Sequence, residues 1–195
     1  MKINSDSIVQ SILRFLIVSG VVIIGGYLVY EKSVFISTQW PYQFFSSGIT
    51  LGIAYAAFCD NHIREGIAML LGWYLILTLS PPGHNSWLFI LFGAYVILIA
   101  YAVYYYLRII KKSFASNSLV RIIIACVLIA VTNSIIVLVL VLITLPASSA
   151  NLVIRLEGMF LNLKIGAGLG LLFGFGAELA DYVAKTYMKQ KKVVV

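Results

Sequence analysis

Charge is scarce in this chain, and that scarcity excludes most ordinary soluble folds. Only 11% of the 195 residues are charged, whereas 62% are hydrophobic. A soluble domain has roughly a quarter charged residues and about half apolar ones. A soluble protein of this composition has too little polar surface to cover its apolar side chains in water. The composition therefore predicts that lipid is the solvent and that residues 1–195 form a single polytopic membrane domain.

Recognisable sites for chemistry are also missing. The two cysteines, Cys59 and Cys126, have no Cys-x-x-Cys neighbour, so we interpret both as buried, inert thiols. No Gly-x-Ser-x-Gly, His-Glu-x-x-His or Walker-type sequence occurs. We therefore expect a protein that is not an enzyme and that carries neither a cofactor nor a bound metal.

Long apolar stretches are what the chain does have. A helix needs about 20 mainly apolar residues to cross a bilayer, and in lipid the backbone must satisfy its own hydrogen bonds. The stretches predict an all-α integral membrane protein, a bundle of about six transmembrane helices, with spans near 8–30, 41–59, 63–80, 87–107, 119–145 and 158–180. Only a short turn separates the second span from the third, so a re-entrant hairpin with four true spans is the alternative.

Positive charge is distributed unevenly between the two predicted sides. With the N-terminus inside, eleven basic residues fall on the cytoplasmic side and three on the outer side. Because Lys and Arg are enriched in cytoplasmic loops, this asymmetry predicts a plasma (inner) membrane protein with both termini in the cytoplasm. The same bias accounts for the net charge of +7, so we expect the lipid bilayer, and not nucleic acid, as the partner.

Two spans carry small residues at every fourth position, which places them on one helix face. These rows are Gly48, Gly52 and Ala56 in the second span, and Gly166, Gly170 and Gly174 in the sixth. Small residues let helix backbones approach closely, which is a main source of helix association in lipid. The rows predict either packing within the bundle or an interface with a partner membrane subunit or a second copy of the chain.

Acidic residues follow both rows at the predicted cytoplasmic ends. The polar residues expected at this depth are Asp60, His62, Glu65, Glu178 and Asp181. Carboxylates and imidazole are good metal ligands, but the spacing matches no metal motif, so we interpret the group as a hydrated polar cluster. Acids are unfavourable at a helix C-terminus, and we expect Arg64, Arg108 or Lys111 to offset them.

Polar side chains inside the spans suggest a region for ligand binding. Gln43, Ser47 and Thr50 share a broad face in the outer half of the second span, and Asn133 lies near the middle of the fifth. A pocket for a small solute needs a few polar groups on an apolar wall, and polar residues at the midplane line transport pathways. The alternatives are a helix end near water for the first three residues and an interhelical hydrogen bond for Asn133.

The segment before the sixth span has its own pattern. Residues 151–163 combine apolar positions at helical spacing with Arg155 and Glu157. This pattern predicts a short helix on the outer membrane surface, which bends at Gly158 into the sixth span.

In size and topology the predicted protein resembles the substrate-binding membrane subunits of energy-coupling-factor vitamin transporters, which are small six-helix proteins with both ends in the cytoplasm. In that family an Ala-x-x-x-Ala patch on the first helix docks to the transporter scaffold. The first helix of this chain has Ser19, Gly20, Gly25 and Gly26 as its small residues, so the resemblance covers size and topology only. Our leading interpretation is a non-enzymatic subunit that binds or helps move a small solute with partner proteins. A ligand-free membrane scaffold is the alternative, and an intramembrane enzyme is the third.

Overall fold

The protein is built from helices, and the computed structural model describes residues 5–30, 40–59, 63–79, 86–144 and 149–194. Within these ranges there are no strands. The helices are α1 (Ser5–Tyr30), α2 (Trp40–Cys59), α3 (Ile63–Leu79), α4 (Ser86–Tyr105), α5 (Lys111–Ser113), α6 (Ser118–Thr144) and α7 (Ser149–Val194). A π-helical turn, Tyr106–Ile110, joins α4 to α5, so these three elements form one continuous helical rod, which we call the α4–α5 rod.

Four of the described stretches are long and apolar enough to cross a membrane. They are Ser7–Val29, Gly93–Ser113, Ser118–Ile136 and Leu156–Tyr187. The apolar part of α2, Phe44–Cys59, is shorter, and α3 has 17 residues. At 1.5 Å per residue, α3 is about 26 Å long, slightly less than the hydrocarbon core of about 30 Å. The all-helical prediction is confirmed for the described residues, and the four stretches indicate a membrane protein; the count of six crossings stays a prediction.

The last helix is longer than predicted, and the expected bend at Gly158 is wrong. α7 runs unbroken through 46 residues, which is about 69 Å at 1.5 Å per residue. A single glycine weakens a helix by only about 1 kcal/mol, no proline occurs in α7, and the space around Gly158 is open. Nothing therefore interrupts the helix, and residues 151–163 form its first part and not a separate surface helix.

The helices pack as an antiparallel bundle in which α1, α2, α6 and α7 form the most closely packed part. The closest pair is α6 with α7, and α1 packs against both α2 and α7. α3 lies at the side, mainly against α2 and α4. The N-terminal half of α1 and the C-terminal half of α7 meet at the same end of the bundle, where Arg14 lies 3.6 Å from Asp181.

The row of small residues in α7 packs against α6. A Cβ atom on Gly166 would lie 2.7 Å from the Cα of Ala130. One on Gly170 would lie 2.7 Å from the Cα of Cys126, and one on Gly174 would also contact the α6 backbone. The seam therefore leaves no room for a side chain, and it joins two helices of the same chain.

The row in α2 packs in the same way against α1. A Cβ atom on Gly48 would lie 3.3 Å from the Ser19 carbonyl oxygen, and one on Gly52 would lie 3.1 Å from the Phe15 carbonyl oxygen. Ala56 is buried. The rows of small residues were predicted either to pack within the bundle or to form an interface with a partner. The described contacts show packing within the bundle.

Large apolar side chains cover the outside of the bundle. On α6 they recur at every fourth residue, at Leu119, Ile123, Val127, Val131, Ile135 and Val139. α7 has a similar exposed face at Leu171, Phe175 and Leu179. Apolar patches of this extent are unfavourable in water, so their natural contact is with lipid acyl chains.

Replacing Gly170 with alanine is expected to destabilise the bundle, because the new methyl group collides with the α6 backbone. Overpacking of this kind costs about 1–3 kcal/mol. Thermal unfolding in detergent, followed by size-exclusion chromatography, should show a lowered midpoint.

Gly158→Ala on the same helix is the matched control. Nothing lies within 4 Å of the added atom, and alanine favours a helix by up to about 1 kcal/mol over glycine. Its midpoint should stay unchanged or rise. Equal midpoints for the two variants would contradict the packing of α7 on α6.

Candidate functional site

Charged side chains from four helices meet at one end of the bundle. We call this group the charge network, and it consists of Arg14, Lys111, Arg121, Glu178 and Asp181. The five residues come from α1, α5, α6 and α7, and their side chains are between 10% and 27% exposed. Burial to this extent is expensive for an ion unless it has counter-charges and hydrogen bonds, and the network supplies both.

Arg121 is the centre of the network. Its guanidinium donates two parallel hydrogen bonds to Glu178, from Nε to Oε1 at 2.7 Å and from Nη2 to Oε2 at 2.6 Å. Nη1 donates to the carbonyl oxygens of Phe114 and Ala115 at 2.8 and 2.5 Å, and Nη2 donates to Ser118 Oγ at 3.0 Å. Because only a planar guanidinium reaches all these acceptors at once, Arg121 ties α7 to α6 and to the turn that precedes it.

The row of small residues explains why this pair forms. Glu178 follows Gly174 by four residues, so it continues the face of α7 that packs on α6. Arg121 lies on α6, four residues before Ala125, whose side chain contacts the position of Gly174. The close-packed seam therefore ends in the Arg121–Glu178 pair.

Lys111 forms the second ion pair, with Asp181. Its ammonium group also donates to the Tyr55 hydroxyl at 3.1 Å, and this hydroxyl donates to the Ala177 carbonyl oxygen at 3.1 Å. Arg14 Nε lies 3.6 Å from the other carboxylate oxygen of Asp181. Asp181 is thus held between two cations, and Tyr55 extends the network to α2.

The π-helical turn directs two side chains of the α4–α5 rod towards α7. Tyr106 and Lys111 are five residues apart, and in a regular α-helix, at about 100° per residue, they would point about 140° apart. The backbone N–H of Lys111 instead bonds to the Tyr106 carbonyl oxygen, and this five-residue closure brings them to one side. The Tyr106 hydroxyl then lies 3.5 Å from Glu178 Oε1, while Lys111 pairs with Asp181.

The charge network lies within the stretches that are long enough to cross a membrane. Arg14 is the seventh residue after the start of Ser7–Val29, and Asp181 is the sixth before the end of Leu156–Tyr187. At 1.5 Å per residue these positions are about 9–11 Å inside the ends, whereas Lys111 and Arg121 lie two and three residues, about 3–5 Å, from the nearest end of their stretches. Ionisable residues inside membrane helices are costly and are usually associated with function, which makes the network the candidate functional site.

Two of the residues predicted for the polar cluster belong to the charge network, namely Glu178 and Asp181. Glu65 lies exposed in the first turn of α3. Asp60 and His62 lie outside the described residues. In the part of the chain that the structure describes, no group of three or more His, Cys, Asp and Glu side chains is placed to hold a metal ion.

Sequence reasoning identifies the counter-ions only in part. Of the three cations expected to offset the acids, Lys111 does so, whereas Arg64 and Arg108 are exposed. Arg121, the main counter-ion, has one sequence signal: it is a cation in the first turn of an apolar span, with no acid near it in the chain. Tyr106 has none, because a tyrosine near the end of a span normally anchors in the headgroup layer, and here it is fully buried.

Two of the three α2 residues predicted to bind a ligand, Ser47 and Thr50, make hydrogen bonds within the protein. The Ser47 hydroxyl is hydrogen-bonded to the Tyr95 hydroxyl of α4. The Thr50 hydroxyl donates to the Ser46 carbonyl oxygen one turn earlier, at 2.8 Å. The side chain of Gln43 lies outside the described part. The described groups therefore join α2 to α4 and to its own backbone.

Asn133 belongs to a different part of the bundle. Its Nδ2 donates to the Asn162 carbonyl oxygen of α7 at 3.0 Å. Among the described residues, α2 and α6 do not pack closely against each other, so Asn133 does not join Ser47 and Thr50 in one site. The contact is of the interhelical kind that was the alternative to a pathway role.

Comparison with known protein families, with curated proteins and with solved structures gives no match to this chain.

Breaking the central ion pair from one side is expected to be strongly destabilising. Arg121→Gln leaves Glu178 without its bidentate partner, and Glu178→Gln leaves Arg121 without its carboxylate. Removing one partner of a buried pair costs about 3–5 kcal/mol. Unfolding of the purified protein by SDS titration measures the change in free energy.

The double variant Arg121→Gln/Glu178→Gln is the critical comparison, because it leaves neither charge unpaired. Its loss of unfolding free energy should be clearly smaller than the sum of the losses of the two single variants. Lys185→Gln, an exposed cation on α7, is the control and should change little. Strictly additive losses would show that the two side chains are not energetically coupled.

Loss of the Asn133–Asn162 hydrogen bond should lower the free energy of unfolding by less than loss of the Arg121–Glu178 pair, and a matched control can isolate this effect. Asn133→Leu keeps the branching and the number of side-chain heavy atoms but removes the bond to α7, and interhelical bonds in membranes contribute about 0.6–1.7 kcal/mol. Thr132→Val is the matched control, since the Thr132 hydroxyl donates only to Leu128 within its own helix in the described contacts. The same SDS titration should show the larger loss for Asn133→Leu, and a reversed order would contradict the contact.

Proposed function

We propose that this chain is a multi-pass protein of the cell membrane that binds or helps to move a small solute together with partner subunits, and that the charge network closes its cytoplasmic end. The observation that carries the proposal is the cluster of five largely buried charged side chains on stretches that are long and apolar enough to cross a membrane. A protein that only fills the bilayer does not need them, because apolar residues of the same volume are often as stable or more stable. Ionisable residues buried between membrane helices are typical of pathways and ligand sites.

The arrangement of the charge network suits a closure that acts as a gate, because it can open when the helices separate. Its pairs join different helices, so separating the helices would part the charges. A charge pair is strong in a dry interior and weak once water raises the local dielectric constant. Lys111 is the most exposed member of the network, at 27%, so in this proposal water enters there when α5 separates from α7.

The charges also orient the proposed closure. The network end holds Arg14, the turn between α5 and α6, and the C-terminal half of α7. Exposed cations outside the network, Arg108, Lys112 and Lys185, belong to the same segments. By the bias of Lys and Arg towards the inside, this end faces the cytoplasm, and both termini lie on that side.

A membrane scaffold without a ligand is the second candidate, and the filled interior favours it. The small-residue rows are covered by neighbouring helices of the same chain, and Ser47, Thr50 and Asn133 are bonded within the protein. In this alternative the charge network would only hold the helices in register. The two candidates differ in whether water can reach the interior from the network end.

Single cysteines test the orientation. In a chain with Cys59 and Cys126 replaced by alanine, Ser116→Cys lies in the turn after α5, and Glu157→Cys lies exposed on α7 near the opposite end. An impermeant maleimide applied to intact cells should label Glu157→Cys and should label Ser116→Cys only after permeabilisation. The opposite result would show that the network end faces outwards.

Reactivity at Ser47 tests the closure without knowledge of the solute. Ser47 is 2% exposed, so Ser47→Cys should react slowly with a small charged thiol reagent supplied from the cytoplasmic side. Adding Glu178→Gln should raise that rate about tenfold or more if opening becomes easier by about 1.4 kcal/mol. The measurement is the labelling rate in inside-out membrane vesicles.

Ile129→Cys on α6, where the native side chain is fully buried and larger than cysteine, is the control for unfolding and should stay unreactive in both backgrounds. If Ser47→Cys stays equally unreactive after Glu178→Gln, or if both cysteines become reactive together, the closure is wrong and the scaffold stands. Native mass spectrometry of the protein extracted in mild detergent would then identify a bound solute or subunit for the supported candidate.

A further inference from the structure

The outer face of the α4–α5 rod carries exposed aromatic side chains, followed further along the rod by the cations Arg108 and Lys112. Its exposed positions are Ile97, Tyr101, Tyr104, Tyr105, Arg108 and Lys112. Steps of three and four residues place them on one side of the rod. This side points away from the bundle interior, where the alternate positions Val103, Tyr106 and Ile110 are buried.

The cations on this face belong to a segment of the chain without acids. Between Glu65 and Glu157 the chain has no Asp or Glu, so the rod itself carries only positive charge. The π-helical turn directs Lys111 inwards to Asp181. Arg108 and Lys112, on either side of it, remain on the surface.

Along the rod, the exposed face changes from cationic at one end to aromatic and apolar further in, as in an amphiphile. Lys112 is the last residue but one of the stretch Gly93–Ser113, which places the cations where headgroups lie. Arg108 stacks on the Tyr104 ring, with its guanidinium carbon 5.7 Å from the ring centroid, which holds the charge at the rod surface. Tyr101 and Ile97, 65% and 69% exposed, lie about two and three turns deeper than Arg108, at the depth of acyl chains.

We propose that this face of the α4–α5 rod binds an anionic phospholipid of the leaflet at the network end. The phosphate lies between Arg108 and Lys112, and an acyl chain runs along Tyr101 and Ile97. Basic residues at the cytoplasmic end of a membrane helix favour anionic lipids over zwitterionic ones. The apolar continuation of the face identifies the ligand as a lipid and not as free phosphate.

Lipid retention measures the site directly. The full-length protein is stripped of lipid in neutral detergent and titrated with phosphatidylglycerol or phosphatidylcholine, and native mass spectrometry counts the molecules retained. The wild type should prefer phosphatidylglycerol. Arg108→Gln/Lys112→Gln should bind it about 25-fold more weakly, at roughly fivefold for each cation near an anionic membrane surface.

Lys185→Gln is the matched control, because it removes an exposed cation from the same end but from another helix. It should leave the preference unchanged, and all variants should elute as the wild type does. The proposal is overturned if phosphatidylglycerol has no preference over phosphatidylcholine, or if the double variant retains it like the wild type. It is also overturned if Lys185→Gln loses as much as the double variant, or if inorganic phosphate displaces the lipid.

Discussion

Hydrocarbon offers no hydrogen-bond partner, and the described structure follows from that constraint. A polar group that enters the apolar part is costly unless it is paired inside the protein. The backbone does so by forming helices, Asn133 bonds to α7, and Ser47 bonds to Tyr95. The guanidinium of Arg121 is the extreme case, since it finds five acceptor atoms, three at the α5–α6 turn and the start of α6 and two on Glu178 of α7.

Close helix packing and the charge network depend on each other. The glycines of α7 bring its backbone against α6, and the next residue of the same row is the acid that Arg121 requires. In lipid there is no hydrophobic force to draw the two helices together, so close van der Waals contact and polar pairs hold them. A network at the end of a glycine seam is therefore positioned by the packing above it, and any movement of the seam would reach the ion pairs directly.

The π-helical turn separates two functions on one helical rod. On one side it aligns Tyr106 and Lys111 with the acids of α7, and on the other it leaves Arg108 and Lys112 at the lipid surface. A regular α-helix would direct Tyr106 and Lys111 to different sides. The proposed closure and the proposed lipid site thus lie on opposite faces of the same few residues, a place where π-helical turns are often found.

The sequence alone was sufficient for the features that follow from local rules: helices where apolar stretches occur, small-residue faces where spacing is four, and Glu178 at the end of the α7 face. It did not predict that α7 continues without a bend through Gly158, because whether a glycine bends a helix depends on its surroundings. Partners across the bundle were decided only by the tertiary structure: Arg121 and Glu178 are 57 residues apart in the chain. Which cation faces inwards depends on a backbone hydrogen bond at Lys111, and no spacing rule encodes it.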